Sequence, residues 1–568
     1  MKILGINSVY HESAASLVID GEQICFIEEE RINRIKHAKT AEVDNPHVLP
    51  VGAMKKCLEM AGLDFSDIDY FAYSFSKEGR LQNIGVDSFF KPGSWGTEEG
   101  ENLFHSRLLS VPEAIGQTAG FDVSDKMVWV DHHLAHAASA FYCSPFSEAL
   151  VMIVDGIGEF DSISAYVGRH NQLGKIFSVP YPNSLGFLWE KICRFLGFSE
   201  HDACKLMGLS SYGDPAKLRD SFAKIARLDE KSLFVVDNGI TRFRSDDMSG
   251  LEEIFGPARQ KDDVIEMRHK DLAAALQEFT ENVMLSLAQR LKKQFRMNKL
   301  CLAGGTALNC VANTALRKKA GFSEIYVQPA ANDAGTALGA ALYVWCGLND
   351  KPKNFHLRHS YYGPSYSEDE IKRAIKMAGL KSQTVNNAPA MAADFVSNGM
   401  IVGWFQGKME MGPRALGNRS LLADPRRRDM RDILNRKIKH REEFRPFAPS
   451  VLEEKANEWF EIPGKSVSDE FMLFAFPTRK KLHEKIPAVV HVDNTSRIQV
   501  VKRETNPKYH ALISEFEKLT GIPMVLNTSF NDSEPIVMSP EDAIKTFLKT
   551  GIDVLFLEDQ MILKEGMR

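Results

Sequence analysis

The sequence is defined first by what it lacks. Among its 568 residues no stretch approaches 18 uninterrupted apolar residues, which leaves no candidate for a helical membrane span. The opening run Met1–Asn7 is apolar but breaks at Asn7 and Ser8, with no small-residue cleavage pattern after it. It therefore reads as a first strand rather than a leader. Basic residues are not in excess: 70 Lys and Arg stand against 75 Asp and Glu, a net charge of −5 that favours no nucleic-acid partner. The eight cysteines include no C-x-x-C pair, which suits free thiols in a reducing compartment and predicts a cytoplasmic protein. Walker A and G-x-G-x-x-G patterns are absent, so P-loop and dinucleotide readings lose support. What remains has the ordinary apolar and charged content of a globular chain and the length of two to four domains.

The most informative positive feature is His132 and His136, in Val130-Asp131-His132-His133-Leu134-Ala135-His136. Four residues apart, they share one face of a helix and form half of a metal site. Zinc proteases use the same spacing, but they need a Glu directly after the first His, and here that place is His133. Two carboxylates sit in contexts that could complete the site. Asp155 directly follows an apolar strand, and Asp333 opens the small-residue run Ala334-Gly335-Thr336-Ala337. Two imidazoles and two carboxylates suit iron, zinc or manganese. Taken singly, His132 reads equally well as a cap and His136 as a core histidine.

The chain also contains a repeat. Lys2–Asn7, Ala14–Ile19 and Gln23–Glu28 read as three consecutive strands, with a tight Asp20-Gly21 turn. A second triplet follows at Ala149–Val154, Ser162–Val167 and Lys175–Val179. A triplet met twice predicts two similar halves, the layout of the actin-like ATPases and sugar kinases. Helical patterns fill Leu272–Phe295 and Asp333–Trp345. A polar Gly/Pro/Asn-rich stretch near 347–364 predicts a boundary between domains 1–350 and 351–568.

Three glycine-containing turns are candidate phosphate or nucleoside cradles: Gly156 and Gly158 after the strand ending at Val154, Gly304 and Gly305 before Asn309, and a loop at 205–213 with Lys205 and Gly208. Each also reads as an ordinary turn. His11, in the first turn of the first triplet, is placed by the repeat opposite the Asp155 turn. Lys36 ends a charged run whose plain reading is a solvated helix start. Both are carried as candidate catalytic residues. From Lys408 to Arg445 twelve Lys and Arg face six Asp and Glu, interleaved with Gly, Pro and Phe. That pattern suits a shaped pocket for a small phosphorylated metabolite better than a solvated face or an RNA patch.

Together the segments 131–138, 155–159, 205–213, 411–420, 439–449 and 527–531 resemble the NodU/CmcH family of O-carbamoyltransferases, the group that includes the tobramycin carbamoyltransferase. The resemblance implies a duplicated actin-like (ASKHA, tRNA threonylcarbamoyl transferase-like) N-terminal domain and a YrdC-like α/β C-terminal domain. It implies formation of carbamoyl adenylate from carbamoyl phosphate and ATP, then transfer of the carbamoyl group to a hydroxyl of a small-molecule natural product such as an antibiotic. It implies that His132, His136, Asp155 and Asp333 hold a divalent metal, Fe2+ first, with Mg2+ accompanying ATP. Carbamoyl phosphate falls to Arg414, Lys439, Arg445 and Arg497 with Asn527 and Ser529, and proton acceptance from the hydroxyl to His11. The expected partner is the hydroxylated acceptor, with no nucleic acid and no membrane; a homodimer is compatible with this reading.

Three alternatives stand beside it. A tRNA threonylcarbamoyl-type enzyme would carry more positive surface. A protein-maturation carbamoyltransferase would carry zinc cysteines. A non-catalytic actin-like nucleotide-binding regulator would not need His11 and the four metal candidates together.

Overall fold

A computed structural model describes residues 1–466 and 468–564. The chain divides into two compact units. The first runs from Met1 to Leu357, except that Glu30–Lys36 packs with the second, and it also takes in Gly464–Ser466; the second comprises the chain from Arg358 onward.

The first unit holds the duplication. Strands β1 (Lys2–Asn7), β2 (Ala14–Ile19) and β3 (Glu22–Glu28) form an antiparallel triplet. Its Asp20-Gly21 turn has φ of 50° and 87°, the left-handed pair that a tight two-residue hairpin demands. Strands β4 (Tyr70–Tyr73) and β5 (Met127–Trp129) add in parallel, giving the order β3-β2-β1-β4-β5. Helix α1 (His132–Cys143) follows. The second half repeats this plan. Strands β6 (Glu148–Val154), β7 (Asp161–Arg169) and β8 (Gln172–Pro180) form the triplet. Helices α2 (Leu185–Phe195) and α3 (Ala203–Ser210) intervene before β9 (Lys299–Ala303), α4 (Cys310–Lys319) and β10 (Glu324–Val327). The order is β8-β7-β6-β9-β10, with Lys465–Ser466 adding beyond β10. Helix α5 (Ala334–Tyr343) then stands where α1 stands in the first half. This is the expected duplicated actin-like architecture.

The two equivalent helices pack against each other, and glycine makes the approach close enough. A Cβ on Gly339 of α5 would lie 1.8 Å from the Ala135 carbonyl oxygen of α1, and one on Gly5 of β1 would lie 1.8 Å from that of Ala337. No side chain fits at either place. The fold thereby brings the N-terminal ends of α1 and α5 to the ends of the central strands.

One expectation is corrected here. Most of the segment 205–213 is not a loop, because α3 covers Ala203–Ser210 and buries Leu206, Gly208 and Leu209; only residues 211–213 form a turn. Leu206 and Leu209, three residues apart, share one face, and their packing offsets the cost of a mid-helix glycine of about 1 kcal/mol.

The second unit is α/β, built on one mixed sheet of eight strands. In chain order these are β11 (Gln383–Thr384), β12 (Val402–Phe405), β13 (Arg419–Ala423), β14 (Ala448–Leu452), β15 (Gln499–Val501), β16 (Met524–Ser529), β17 (Val554–Leu557) and β18 (Gln560–Leu563). Across the sheet they run β11-β18-β17-β12-β13-β16-β14-β15. The charged run 30–36 belongs to this unit through its arginines. Buried Arg31 donates to the Gly412 carbonyl, and Arg34 to those of Pro535 and Ile536. Among the described residues no helix is long and apolar enough to cross a membrane.

Candidate functional site

Four side chains converge where the two halves of the first unit meet. His132 and His136 occupy the first turns of α1 and are fully buried. Asp155 is the first residue after β6, and Asp333 occupies the N-cap position of α5 with its carboxylate free of any capping bond. His132 Nε2 lies 3.4 Å from Asp155 Oδ2 and 3.6 Å from Asp333 Oδ1; for His136 Nε2 the distances are 3.6 and 3.5 Å. These gaps are long for hydrogen bonds. They match the edges of a tetrahedral shell, since metal bonds of about 2.0–2.2 Å put donors about 3.3–3.6 Å apart. Both Nε2 atoms are buried without a hydrogen-bond partner.

Surrounding groups fix which atoms face inward. The Ser74 carbonyl, 3.4 Å from His132 Nδ1, can accept a long hydrogen bond from a proton there, which leaves the Nε2 lone pair toward the carboxylates. The Gly305 N–H donates to Asp155 Oδ1 at 3.0 Å and leaves Oδ2 to the cluster. Gly304 permits this turn: its φ is 88°, and a Cβ there would lie 2.4 Å from the Val154 carbonyl oxygen. The Glu159 carboxylate accepts the His132 backbone N–H at 2.9 Å and closes the N-terminus of α1. Burial by itself lowers an imidazole pKa, but the carboxylates of Asp333 and Asp155 outweigh it and hold His132 well above the usual range. His136 moves the same way, also against its burial. Burial likewise opposes ionisation of Asp333, yet the two imidazoles hold it at about 2. The donor set therefore fits a divalent cation of borderline softness, whose entry displaces protons from the imidazoles. The third histidine, His133, turns to Ser164 Oγ at 2.8 Å instead.

The other candidates are placed as follows. Gly156 and Gly158 line the Asp155 turn; the Gly156 carbonyl accepts from Ser184 Oγ and that of Gly158 from Tyr10 Oη. Asn309 is the N-cap of α4, accepting from the Ala312 N–H at 3.0 Å and donating to Gln277. Lys205 pairs with Asp202 at 3.1 Å, and Gly208 is buried inside α3. His11 is half-buried in the first unit, and Lys36 is exposed and belongs to the second.

In the second unit, buried Lys439 donates to the carbonyls of Ser529 and Asn531, to Asn531 Oδ1 and, at 3.3 Å, to Ser529 Oγ. Burial pushes its pKa well down, helped by the charges of Arg441 and Arg445. The guanidinium charges of Arg441 and Arg445, close enough to act on Lys439, favour an anion here. Asn527, in β16, spends its amide N–H groups on Ala415 O, Ser450 Oγ and Gln499 Oε1. The Ala415 bond ties the loop bearing Arg414 to this strand. Arg414, Arg445 and Arg497 are half-buried.

Residues 2–84 and 95–342 match the family described as Carbamoyltransferase N-terminus, and residues 393–564 match Carbamoyltransferase C-terminus. The chain belongs to the carbamoyltransferase family. It is 38% identical over 566 residues to nodulation protein NolNO of Sinorhizobium fredii, covering 98% of this chain and 80% of that one. It is 40% identical over 439 residues to nodulation protein NolO of Bradyrhizobium diazoefficiens, covering 77% and 79%. The resemblance read from the motifs is therefore correct, and the protein is a carbamoyltransferase. Among solved structures, full-length HypF in its phosphate- and nucleotide-bound form aligns over 60% of this chain and 55% of its own at 14% identity and a TM-score of 0.33. That likeness is too distant to add to the topology.

Several residues around this site carry no motif. Glu190, on α2, lies beside Gly156 and faces His11; burial raises its pKa to about 7. The stretch 85–94 falls between the two N-terminal matches. Within it, buried Asp87 accepts from Tyr181 Oη and from Asn238. Glu190 is a helix-face carboxylate and Asp87 an isolated loop acid, so neither could be found by spacing.

Proposed function

We propose that this carbamoyltransferase makes carbamoyl adenylate from carbamoyl phosphate and ATP, and passes the carbamoyl group to a hydroxyl of a small-molecule natural product. The four-donor cluster carries the reading, because only a phosphate-bearing intermediate gives a buried cation at this place a task within carbamoyl transfer. Carbamoyl phosphate is assigned to Arg414, Lys439, Arg445 and Arg497 with Ser529, and with Asn527 through its unpartnered Oδ1, which can accept from the carbamoyl NH2. ATP beside it crowds several negative charges together, which the guanidinium and ammonium groups offset. Water first cleaves the bond between the carbamoyl oxygen and phosphorus of carbamoyl phosphate, releasing inorganic phosphate and leaving carbamate; the carbamate oxygen then bonds to the α-phosphorus of ATP and pyrophosphate leaves. The acceptor oxygen then bonds to the carbamoyl carbon, the bond to AMP breaks, and His11 takes the hydroxyl proton. A divalent cation held by His132, His136, Asp155 and Asp333 would bind phosphate oxygens and make AMP a better leaving group. Iron(II) is our assignment for it.

We place acceptor contact in the segments 74–104 and 184–200, with Glu190 and Asp87 among their polar groups, and the enzyme in the cytoplasm, where its eight free thiols would stay reduced. The test is incubation of the purified enzyme with ATP, carbamoyl phosphate and a divalent cation, with no acceptor. Carbamoyl adenylate and pyrophosphate are expected; finding neither would sink the assignment.

A further inference from the structure

A second group of side chains with metal-ligand chemistry lies in the first unit, on turns rather than helices. Glu12 faces two imidazoles: its Oε1 is 3.4 Å from His37 Nδ1 and its Oε2 is 3.9 Å from His11 Nδ1. Ligand atoms of these three residues lie within 4.8 Å of one another. His11 Nδ1 and Glu12 Oε2 are buried without a hydrogen-bond partner. A third imidazole, His201, stands over both rings, with centroids 4.4 Å from His37 and 5.1 Å from His11.

The backbone here is held against its own preference. Tyr10, Glu12, His37 and Ala38 have φ of 59°, 61°, 62° and 66°, left-handed values that cost non-glycine residues about 1 kcal/mol or more each. The two turns are tied together, because the Glu12 N–H donates to the His37 carbonyl at 2.8 Å. Such strain is kept where side chains must meet. Imidazoles with one carboxylate, at spacings slightly wider than a filled shell, suit a late first-row divalent cation.

We propose that His11, Glu12 and His37, with His201 beside them, form a second metal site, selective for a zinc-like divalent cation and distinct from the four-donor cluster. Occupancy has a chemical consequence, which rests on the reading of His11 as the base. A metal on Nδ1 takes that lone pair and leaves the ring proton on Nε2. An imidazole in that tautomer donates a hydrogen bond but cannot accept the proton of a hydroxyl. The cation would therefore stop transfer while sparing adenylate formation.

The experiment is calorimetric titration of Zn2+ into the full-length protein and into His37→Asn, His201→Ala and His136→Ala variants, with assays of both half-reactions alongside. Asparagine is chosen at 37 because it tolerates a left-handed backbone. Wild type should bind a second equivalent that weakens by about 100-fold or more in His37→Asn and His201→Ala. His136→Ala should lose the other equivalent and keep this one. Zinc at this site should cut transfer by about 100-fold with adenylate formation retained. A wild-type protein with no second equivalent, or one undiminished in both the 37 and 201 variants, overturns the proposal. Second-equivalent binding without inhibition keeps the site and overturns the role of His11 instead.

Discussion

The two histidine–carboxylate clusters of the first unit are built by opposite means. His132, His136 and Asp333 sit on the N-terminal ends of two helices that glycine lets touch, and Asp155 is locked by a backbone N–H. His11, Glu12 and His37 sit on turns whose backbone is strained, and they are only half-buried. The first arrangement inherits its precision from helix packing. The second depends on two turns holding their place, and its donors stand slightly further apart. The comparison teaches that rigid placement and metal-donor chemistry can be separated within one unit: under the proposed function the rigid cluster would carry the cation that transfer requires, and the looser one the cation that stops it.

The difference can be broken at several points. The largest effect is expected from His136→Ala, which removes a donor from the rigid cluster. Carbamoyl transfer should fall on the order of 1,000-fold, the scale of a polarising cation worth several kcal/mol, with metal content measured in parallel. Retained activity in a metal-free variant would contradict the assignment. Next is His11→Ala, expected to lower transfer by about 100-fold or more while adenylate still forms. Loss of adenylate formation first would remove His11 from the role of base. Third, Gly339→Ala should force α1 and α5 apart, costing about 1–3 kcal/mol as a lower melting temperature. It should loosen metal at the helix-built cluster and leave zinc at the turn-built one, and equal weakening of both would dissolve the distinction. The smallest effect is expected for Glu159→Gln, which removes the charge closing the N-terminus of α1. A loss of about 1 kcal/mol in stability, read by denaturant unfolding, is the expected result.

These clusters also show what a sequence discloses. The i, i+4 histidines could be read directly, because helix periodicity turns spacing into proximity. Asp155 was legible as a strand end, and both strand triplets emerged from their apolar runs and the Asp20-Gly21 turn. The second cluster was not legible. His37 and His201 are 26 and 190 residues from His11, and only the tertiary fold brings them together. Asn309 and Lys205 were read as ligand groups from residue type and turn context; the fold gives the first a capping role and the second an ion pair with Asp202, neither of which spacing could disclose. The loop read at 205–213 is helical as far as Ser210 because burial of Leu206 and Leu209 overrode Gly208, while Gly213 lies in the turn beyond. Arg31 looked solvated within its charged run, yet it is 3% exposed, since its guanidinium is consumed by a backbone carbonyl far along the chain.

The central claim is that the helix-built cluster holds a divalent cation. Anomalous diffraction from crystals of the full-length protein grown with iron(II) or manganese(II) tests it most directly. The account predicts a peak about 2.0–2.2 Å from Nε2 of both His132 and His136 and from one oxygen each of Asp155 and Asp333. A fully occupied anomalous peak elsewhere in the first unit, with none between these four side chains, would contradict it.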